Sequence, residues 1–495
     1  MGYIGALDQG TTGTRFLTFD GDGDPVSDNY VKHRQIYPQQ GWVEHDPREI
    51  YRNVLETVRK TPNNVLEELE AVGVTNQRET TIVWDQDGEP VYNGVVWQDR
   101  RTTDRIDDLE PELRSRIRDT TGLIPNSYFS GTKLEWILEN YEEETNHEGK
   151  NEVLDLSFGT VDSYLVYMLT DGEKHVTDVT NASRTMLYDI HNDEWSPPLL
   201  EEFSVPREIL PTVVPSYGEI HGYTDFGGVL DKEVPIGSIL GDQQASLFGH
   251  CCFEEGDTKN TYGTGSFLLT NTGYRIHEDD HGLLRTIGYQ CAGEPPMYAL
   301  EAPVFMTGGV LEWLVDLGLI RDAGETEEIA RGADTGELFL VPAFTGLGAP
   351  YWDEKAAGTL IGITRDTDRR SIVRAALESI AYQTLDVVET LRDNTDLELG
   401  KLRVDGGVSS NDLMCELQAD YLDLEVERPE HQEVTALGAA YSAGLTTGFW
   451  SSREEVSRLR SPSGRFEAGG YGHSCNHEGW RRAVSRSKDW RYNEA

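Results

Sequence analysis

A short polar turn between two apolar strands, near the start of the chain, has the residue types that bind phosphate. Residues 3–7 form an apolar run that ends at Asp8, and the turn Gly10-Thr11-Thr12-Gly13 precedes a second strand at residues 15–19. Glycine lets backbone N–H groups approach an anion, and threonine hydroxyls add donors. Asp8 can hold Mg²⁺, and Arg15 can neutralise a phosphoryl group. The pattern predicts a phosphate-binding hairpin; the alternative is a plain turn made of common turn residues.

A similar hairpin recurs half a chain later. Residues 260–271 again contain a strand, a turn with the sequence Gly263-Thr264-Gly265, and a second strand, and Phe-Leu closely follows the turn in both hairpins. Two such hairpins indicate an internal duplication, with a nucleotide held between the two turns. The alternative is a chance match between two turns rich in glycine and threonine.

An unusually polar strand end suggests a ligand-binding edge. Residues 69–74 are predicted to form a strand, and it ends in the run Thr75-Asn76-Gln77-Arg78-Glu79. The run predicts contact with a ligand, and the alternative is a solvated turn. Because neighbours on a regular strand face opposite sides, Arg78 and Glu79 share a ligand only if the backbone departs from pleated geometry.

Two further stretches supply candidates for binding and activating a hydroxyl group. A predicted hairpin of residues 81–84 and 91–97 ends in Trp97-Gln98, which suits the wall of a site for a small polyhydroxyl ligand; core filling by Trp97 is the alternative. The strand at residues 237–241 passes into a helix at Asp242. Its carboxylate can accept a proton from a hydroxyl, or it can serve only as the N-cap of the helix.

The hydrophobic periodicity predicts several helices that would carry these sites. They lie at residues 48–59, 158–169, 371–391 and 433–441, the first with Asp46 as its N-cap. Residues 402–411 are predicted as a strand, a Gly-Gly turn and a helix start, a geometry that suits adenosine or phosphate. The order of strands and helices indicates the α/β class.

Length and charge limit the classes of function. With 495 residues the chain is expected to form two domains, residues 1–248 and 249–495. No apolar run approaches the ~20 residues that a membrane-spanning helix needs. The 87 acidic and 43 basic residues give a net charge of −44, which argues against nucleic-acid or anionic-membrane partners. This acidity is typical of cytosolic proteins that work in molar salt, and we hypothesise such a compartment.

The cysteine pattern indicates a reducing, cytoplasmic location. The five cysteines form no C-x-x-C pair, and their number is odd, so a disulfide framework is not expected. The cluster His473-Ser474-Cys475-Asn476-His477 has residue types that bind metals, but no other ligand set lies nearby in the sequence. A polar C-terminal loop is the favoured interpretation.

Taken in order, the motifs resemble those of the glycerol kinases, a branch of the FGGY carbohydrate kinases within the actin-like ATPase superfamily. The resemblance covers residues 3–490. It is carried by Asp8-Gln9-Gly10-Thr11-Thr12, Asn76-Gln77-Arg78-Glu79-Thr80-Thr81, Trp97-Gln98, Tyr128-Phe129-Ser130-Gly131-Thr132-Lys133, Gly241-Asp242-Gln243-Gln244, Tyr262-Gly263-Thr264-Gly265 and Pro342-Ala343-Phe344-Thr345-Gly346-Leu347-Gly348-Ala349-Pro350-Tyr351-Trp352.

The resemblance implies two ribonuclease-H-like domains around a cleft, and ATP-dependent phosphorylation of glycerol to sn-glycerol 3-phosphate with Mg²⁺. It implies a homodimer or homotetramer. It assigns the general base to Asp242 and the metal site to Asp8. The implied glycerol-binding residues are Arg78, Glu79, Trp97, Tyr128, Asp242, Gln243 and Phe267. The implied nucleotide-binding residues are Thr11, Thr12, Gly13, Arg15, Gly263, Thr264, Gly308, Glu312, Gly407 and Asn411.

Two departures from the family pattern bear on regulation and nucleotide affinity. Glu312 stands where bacterial members tend to have glutamine, and residues 227–231 lack the loop that binds fructose 1,6-bisphosphate in enterobacterial relatives. One alternative function is a kinase of another polyol or sugar, such as xylulose or gluconate. Another is an actin-like filament protein or chaperone-type ATPase, which would share both hairpins but needs no acceptor site.

Overall fold

Two large β-sheets organise the chain. The structure is a computed structural model that describes residues 2–144, 153–277 and 281–491. In spatial order the first sheet consists of the strands Tyr223–Thr224, Val234–Gly241, Leu69–Asn76, Tyr3–Gln9, Gly13–Phe19 and Pro25–Lys32. The second sheet consists of Leu284–Tyr289, Met297–Val304, Ser266–Asn271, Thr258–Tyr262, Lys401–Asp405, Glu425–Pro429 and Pro462–Phe466.

The two sheets repeat one arrangement. In each, an antiparallel hairpin is flanked on one side by a third antiparallel strand and on the other by two parallel strands. We call the pair Tyr3–Gln9 and Gly13–Phe19 the first hairpin, and the pair Thr258–Tyr262 and Ser266–Asn271 the second hairpin. Both were predicted from the sequence, and the repeated strand order agrees with the predicted internal duplication.

The parallel strands of the first sheet place the candidate residues at one edge. Tyr3–Gln9, Leu69–Asn76 and Val234–Gly241 run parallel, with Asp8 opposite Thr75 and Gly241 opposite Asn76. The carboxyl ends of parallel strands meet at the same edge of a sheet, which is where ligands bind in α/β folds. Asp8 and the residues that follow Asn76 and Gly241 therefore lie close together.

Helices cover the faces of both sheets. In chain order they span Pro47–Arg59, Asn63–Leu66, Thr103–Asp107, Pro111–Thr121, Ser130–Glu144, Val161–Leu169, Val179–Ala182, Pro197–Glu202, Asp242–Gly249, Gly308–Asp316, Thr326–Ala330, Arg369–Asn394, Asp412–Leu422, Val434–Thr447, Arg453–Leu459 and His477–Ser487. The predicted helices at residues 48–59, 371–391 and 433–441 are confirmed, and the Asp46 side chain accepts a hydrogen bond from the backbone N–H of Arg48 as an N-cap.

One helix from the second half of the chain packs against the first sheet. We call Val434–Thr447 the closing helix; it packs against Leu69–Asn76, Val234–Gly241 and the helix Asp242–Gly249. Its contacts are close because small residues line them. A Cβ atom added at Gly438 would lie 1.8 Å from the backbone oxygen of Ala245, and one at Gly73 would lie 2.0 Å from the oxygen of Ala439. Only glycine fits at these two positions.

Two predicted elements differ from the structure. The expected hairpin of residues 81–84 and 91–97 is reduced to isolated bridges, because Ile82–Trp84 pairs with Ser157–Gly159 and Gly94–Val95 pairs with Glu44–His45. The helix expected at residues 158–169 begins only at Val161, because the three residues before Thr160 form that distant strand pairing. Both errors come from contacts between segments far apart in the sequence.

None of the helices in the described ranges combines the length and apolar character that a membrane crossing requires.

The acidic surface predicts a strong dependence of stability on salt. The net charge of −44 makes the folded chain repel itself. We expect the melting temperature to rise from low to molar KCl, because the screening length falls to about 3 Å at 1 M salt. Circular dichroism melts measure this rise, with sucrose at equal osmolality as a control that does not screen charge. A melting temperature that KCl leaves unchanged would refute the molar-salt hypothesis.

Candidate active site

A sharp backbone turn brings Arg78 and Glu79 into the same buried cluster. The strand ends at Asn76, and Glu79 has φ +64°, a left-handed conformation that L-residues rarely adopt. This is the departure from pleated geometry that the sequence analysis required. The Arg78 Nε atom lies 3.9 Å from Glu79 Oε1, and both side chains are about 1% exposed.

The other polar residues of this run have structural partners. The Asn76 amide donates to Asn181 Oδ1 at 3.0 Å, and the Gln77 amide donates to Gln9 Oε1 at 3.0 Å. These bonds fix the strand end against neighbouring segments. Of the run Thr75-Asn76-Gln77-Arg78-Glu79, only the last two residues join the buried charge cluster.

Arg78 is the centre of this cluster. Its Nη1 and Nη2 atoms donate to Glu301 Oε2 and Oε1 at 2.7 and 2.8 Å, and its Nε lies 3.2 Å from Asp242 Oδ1. The guanidinium carbon lies 5.7 Å from the centroid of the Phe267 ring. Arg78 therefore contacts two other residues predicted for the acceptor site, Asp242 and Phe267.

Sequence reasoning missed two members of the cluster, Arg184 and Glu301. Arg184 Nε donates to Glu79 Oε1 at 2.7 Å, and its Nη2 donates to Glu301 Oε1 at 3.3 Å. The signal for Glu301 was a single acid in the middle of an otherwise apolar strand, since buried charges need partners. Arg184 lies among polar Ser and Thr residues, so it does not stand out from its neighbours in the sequence as Glu301 does.

Asp242 is the first residue of the helix Asp242–Gly249, and its carboxylate contacts Arg78. The N-cap is Gly241 and no side chain caps the helix, so the alternative of Asp242 as N-cap is wrong. Its side chain is 29% exposed, and its Oδ1 accepts from the Gln243 backbone N–H at 2.7 Å. Burial raises the pKa of the Asp242 carboxyl above its ordinary value, although Arg78 opposes this shift. A carboxylate with a raised pKa is a better proton acceptor.

Gln243 is fixed by a buried lysine from the second hairpin. The Lys259 Nζ atom donates to Gln243 Oε1 at 2.5 Å and to Thr261 Oγ1 at 3.0 Å. Burial lowers the pKa of Lys259 to about 8. This bond uses the side-chain oxygen of Gln243 and not its amide nitrogen.

Trp97 and Tyr128 form an aromatic wall that touches the first hairpin. Their rings meet edge to face with centroids 5.6 Å apart, and the Trp97 Nε1–H donates to Thr11 Oγ1 at 3.0 Å. Trp97 is half-buried and lies outside the hydrophobic core clusters, so it does not act as core filler. The predicted polyol wall and the predicted phosphate turn are thus neighbours.

The tip of the first hairpin is a tight turn whose side chains already have partners. The Gly10 N–H donates to the Gly13 oxygen at 2.9 Å, and Thr12 Oγ1 lies 3.0 Å from the Tyr30 hydroxyl. Arg15 pairs with Asp28 at 3.4 Å and more closely with Glu433 of the second half of the chain. Arg15 is therefore held by two carboxylates, and its predicted contact with a phosphate stays a prediction.

Asp8 has the properties of a cation ligand. It lies opposite Arg15 in the hairpin register, and within the described ranges its carboxylate has no hydrogen bond or ion pair. Burial, with Asp242 and Glu433 nearby, raises the pKa of Asp8 to about 7. A divalent cation would relieve this repulsion, and carboxylate oxygens are the ligands that Mg²⁺ prefers. A single carboxylate of this kind fits Mg²⁺, which proteins usually bind through one or two carboxylates together with waters and substrate phosphates.

A cavity of about 530 Å³ lies beside the second hairpin. The helix Gly308–Asp316 begins there, and the Gly308 N–H donates to the Gly263 oxygen at 3.0 Å. A Cβ at Gly308 would lie 2.5 Å from that oxygen, so the close approach requires glycine. The cavity brings together six of the predicted nucleotide-binding residues, Gly263, Thr264, Gly308, Glu312, Gly407 and Asn411. The other four, Thr11, Thr12, Gly13 and Arg15, lie on the first hairpin.

Asn411 lines this cavity, but its side chain has a structural task. Its Oδ1 accepts from the Met414 N–H at 3.0 Å as the N-cap of the helix Asp412–Leu422, and its Nδ2 donates to Thr326 Oγ1 at 2.9 Å. Glu312 differs, because it is exposed at the cavity wall. A carboxylate there adds negative charge beside the predicted nucleotide.

The C-terminal histidines pair with carboxylates. His477 Nε2 lies 2.7 Å from Asp386 Oδ1, and His473 Nε2 lies 3.4 Å from Glu416 Oε2. In the part of the chain that the structure describes, no group of three or more potential ligands could hold a metal ion. Residues 473–476 form a loop, as interpreted, but Asn476 is the N-cap and His477 the first residue of the helix His477–Ser487.

Comparison with known proteins agrees with this geometry. The model for the N-terminal domain of the FGGY family of carbohydrate kinases matches residues 3–249, and the model for its C-terminal domain matches residues 258–447. The chain belongs to the FGGY family of carbohydrate kinases. Its fold is the two-domain α/β fold of this family, of the actin-like ATPase type, as the sequence predicted.

Among the relatives of this FGGY kinase are proteins from halophilic archaea. It is 51% identical to the glycerol kinase of Haloferax volcanii, with 99% of this chain and 98% of that protein covered, and 50% identical to the glycerol kinase of Haloarcula marismortui, with 99% of each covered. A crystal structure of Plasmodium falciparum glycerol kinase with ADP matches with a TM-score of 0.90 at 33% identity, covering 98% of each chain.

Proposed function

We propose that the chain transfers the γ-phosphoryl group of ATP to a terminal hydroxyl of glycerol, giving sn-glycerol 3-phosphate. The observation that carries this proposal is the bond from Trp97 Nε1 to Thr11 Oγ1, which joins the polyol wall to the phosphate turn. A phosphoryl acceptor bound against Trp97 would lie next to the first hairpin. The relatives at about 50% identity, named as glycerol kinases, support the choice of glycerol.

The residues divide the chemistry between binding and proton transfer. Arg78 and Glu79 hold the hydroxyl groups, Tyr128 and Phe267 pack against the carbon chain, and Gln243 orients the acceptor. Asp242 takes the proton of the attacking hydroxyl while the new O–P bond forms and the bond to the β-phosphate oxygen breaks. Such a transfer needs in-line positioning more than covalent help, and a closed cleft excludes water as a competing acceptor.

The nucleotide occupies the cavity beside the second hairpin in this proposal. Gly263, Thr264 and Gly308 form the close turn beside the phosphates, where the absence of side chains on the two glycines lets the nucleotide approach, while Gly407, Asn411 and Glu312 line the remaining wall. Thr11, Thr12, Gly13 and Arg15 approach the phosphates from the first hairpin. Asp8 would hold Mg²⁺, which neutralises charge on the phosphoryl oxygens when it is bound.

Glycerol-dependent formation of ADP in molar KCl tests the function. We expect ADP to accumulate with ATP and glycerol, and much more slowly with ATP alone, because the acceptor cluster Arg78, Glu79 and Asp242 is built for a hydroxyl substrate. A panel with xylulose and gluconate checks the alternative of another carbohydrate kinase. Equal ADP formation with and without any polyol would instead identify an ATPase of the filament or chaperone type and overturn the proposal.

Assembly, location and domain boundary complete the proposal. We infer a homodimer or homotetramer in the cytoplasm; the absence of any C-x-x-C pair among the five cysteines supports the location. We place the boundary between the two domains between Phe248 and Gly249, at the last residue of the helix that carries Asp242. Sedimentation in molar KCl measures the oligomeric state.

A further inference from the structure

Glu301 is the buried junction of a chain of five alternating charges. In spatial order the chain runs Asp242, Arg78, Glu301, Arg184 and Glu79. Glu301 is 0% exposed and receives a two-bond fork from Arg78 at 2.7 and 2.8 Å. It also lies 3.2 Å and 3.3 Å from the two terminal nitrogens of Arg184. Such forks fix the plane of a guanidinium group.

The bonds to Glu301 determine which nitrogen atom of Arg78 and of Arg184 contacts the carboxylates of the acceptor site. Because Glu301 occupies both terminal nitrogens of Arg78, the Nε atom of Arg78 is the one that faces Asp242, at 3.2 Å. Arg184 likewise gives its Nε atom to Glu79, at 2.7 Å. The two carboxylates that the proposed function assigns to glycerol and to proton transfer are each held by an arginine whose other end is fixed on Glu301.

Glu301 reaches this cluster from the other half of the molecule. It lies on the strand Met297–Val304, where it is opposite Leu269 of the second hairpin. Arg78, Glu79, Arg184 and Asp242 all come from the first 248 residues. The strand that carries Glu301 is therefore hydrogen-bonded to the hairpin beside the nucleotide cavity, while its carboxylate orients the arginines of the acceptor site.

We propose that Glu301 is a positioning residue for the acceptor site. Through Arg78 and Arg184 it holds that site in a fixed position relative to the second sheet, beside which the nucleotide cavity lies. The proposal rests on the proposed function, since it names a further residue needed for glycerol binding. Burial pushes the pKa of Glu301 upward, but Arg184 and Arg78 outweigh it and hold the pKa at about 2, so the carboxylate is charged at any working pH. Removing that charge leaves two buried guanidinium groups side by side without the anion between them.

The test is Glu301→Gln, a change that keeps the shape of the side chain and removes its charge. One oxygen of the fork becomes an NH₂ group that faces an arginine N–H, so Arg78 can no longer be held by two bonds. We expect KM for glycerol to rise about tenfold or more, because a hydrogen bond to a charged group is lost at each arginine, while KM for ATP stays close to the parent value. Glu301→Asp keeps the charge but is one methylene shorter, and we expect it to recover part of the loss.

Glu427→Gln is the matched control. Glu427 is also about 1% exposed on the second sheet, contacts Lys401 at 3.0 Å and Arg460 at 2.9 Å, and has a pKa lowered to about 2 by these partners despite burial. It lies outside both candidate sites, so its loss should lower the melting temperature and leave both KM values unchanged. Steady-state kinetics in molar KCl, with a melt of each variant, separate the two effects.

Each outcome decides a separate question. A parent chain without glycerol-dependent ADP formation overturns the proposed function. An active parent together with a Glu301→Gln variant of unchanged KM for glycerol, or with equal changes in KM for glycerol and for ATP, overturns the positioning role. If Glu301→Gln does not fold, Glu301→Asp decides in the same way, through a rise in KM for glycerol alone.

Discussion

Asp242→Asn should lower kcat by about 10²- to 10⁴-fold, the range that general-base catalysis contributes, while KM for ATP changes little. Asparagine has the shape of aspartate but cannot take the hydroxyl proton as the O–P bond forms. Arg78 keeps its two bonds to Glu301 in the variant, so the acceptor site should stay folded. Glycerol-dependent ADP formation in molar KCl measures kcat and both KM values.

The control for this variant is Asp368→Asn. Asp368 is the N-cap of the helix Arg369–Asn394, where its side chain accepts from the Ser371 N–H, and asparagine caps a helix about as well as aspartate. We expect the control to have parent kinetics. An Asp242→Asn enzyme with near-parent kcat would remove Asp242 from the role of general base.

Gly438→Ala should both destabilise the protein and slow it. The added Cβ would lie 1.8 Å from the Ala245 oxygen and 2.8 Å from the Gly249 nitrogen, both backbone atoms that cannot rotate away. The closing helix must then move off the helix Asp242–Gly249. Overpacking of this kind costs about 1–3 kcal/mol in the free energy of unfolding. A shift of about 1 Å at Asp242 can reduce kcat by about 100-fold, because the base no longer meets the hydroxyl proton.

Denaturant unfolding and steady-state kinetics in molar KCl measure the two effects of Gly438→Ala. Gly400→Ala is the matched control, since a Cβ at Gly400 would have no atom within 4 Å and its φ is not in the left-handed range. We expect the control to match the parent in stability and in kcat. A Gly438→Ala protein as stable as the parent would show that the two helices can separate at no cost.

Local patterns in the sequence predicted the features that depend on local chemistry. Both hairpins, the helix start at Asp242 and the polar strand end at Arg78 and Glu79 follow from turn residues, periodicity and the contrast between apolar strands and polar ends. The edge at which they meet follows from the rule that parallel strands share a carboxyl edge. Most of the acceptor cluster could therefore be predicted without coordinates.

The parts of the site that were not predicted from the sequence depend on contacts between side chains from distant segments. Glu301 and Arg78 are 223 residues apart in the chain, and Arg184 and Glu79 are 105 apart, so no local pattern links them. The pairing of Arg15 with Glu433 is likewise a contact between distant segments that no local pattern indicates. Long-range ion pairs are set by the tertiary fold, and burial makes them stable only when every charge has a partner.

The closing helix has a consequence for how the chain folds during its synthesis. The strands of the first sheet are complete once Gly241 has left the ribosome, but the helix that covers their apolar face ends at Thr447. At the usual rate of elongation the ribosome needs roughly 10–40 s to make the intervening segment. For that time the nascent first sheet lacks one covering layer, and its apolar face is open to other chains. The interval between translating residue 241 and residue 447 is therefore when this chain is most prone to associate with the wrong partner.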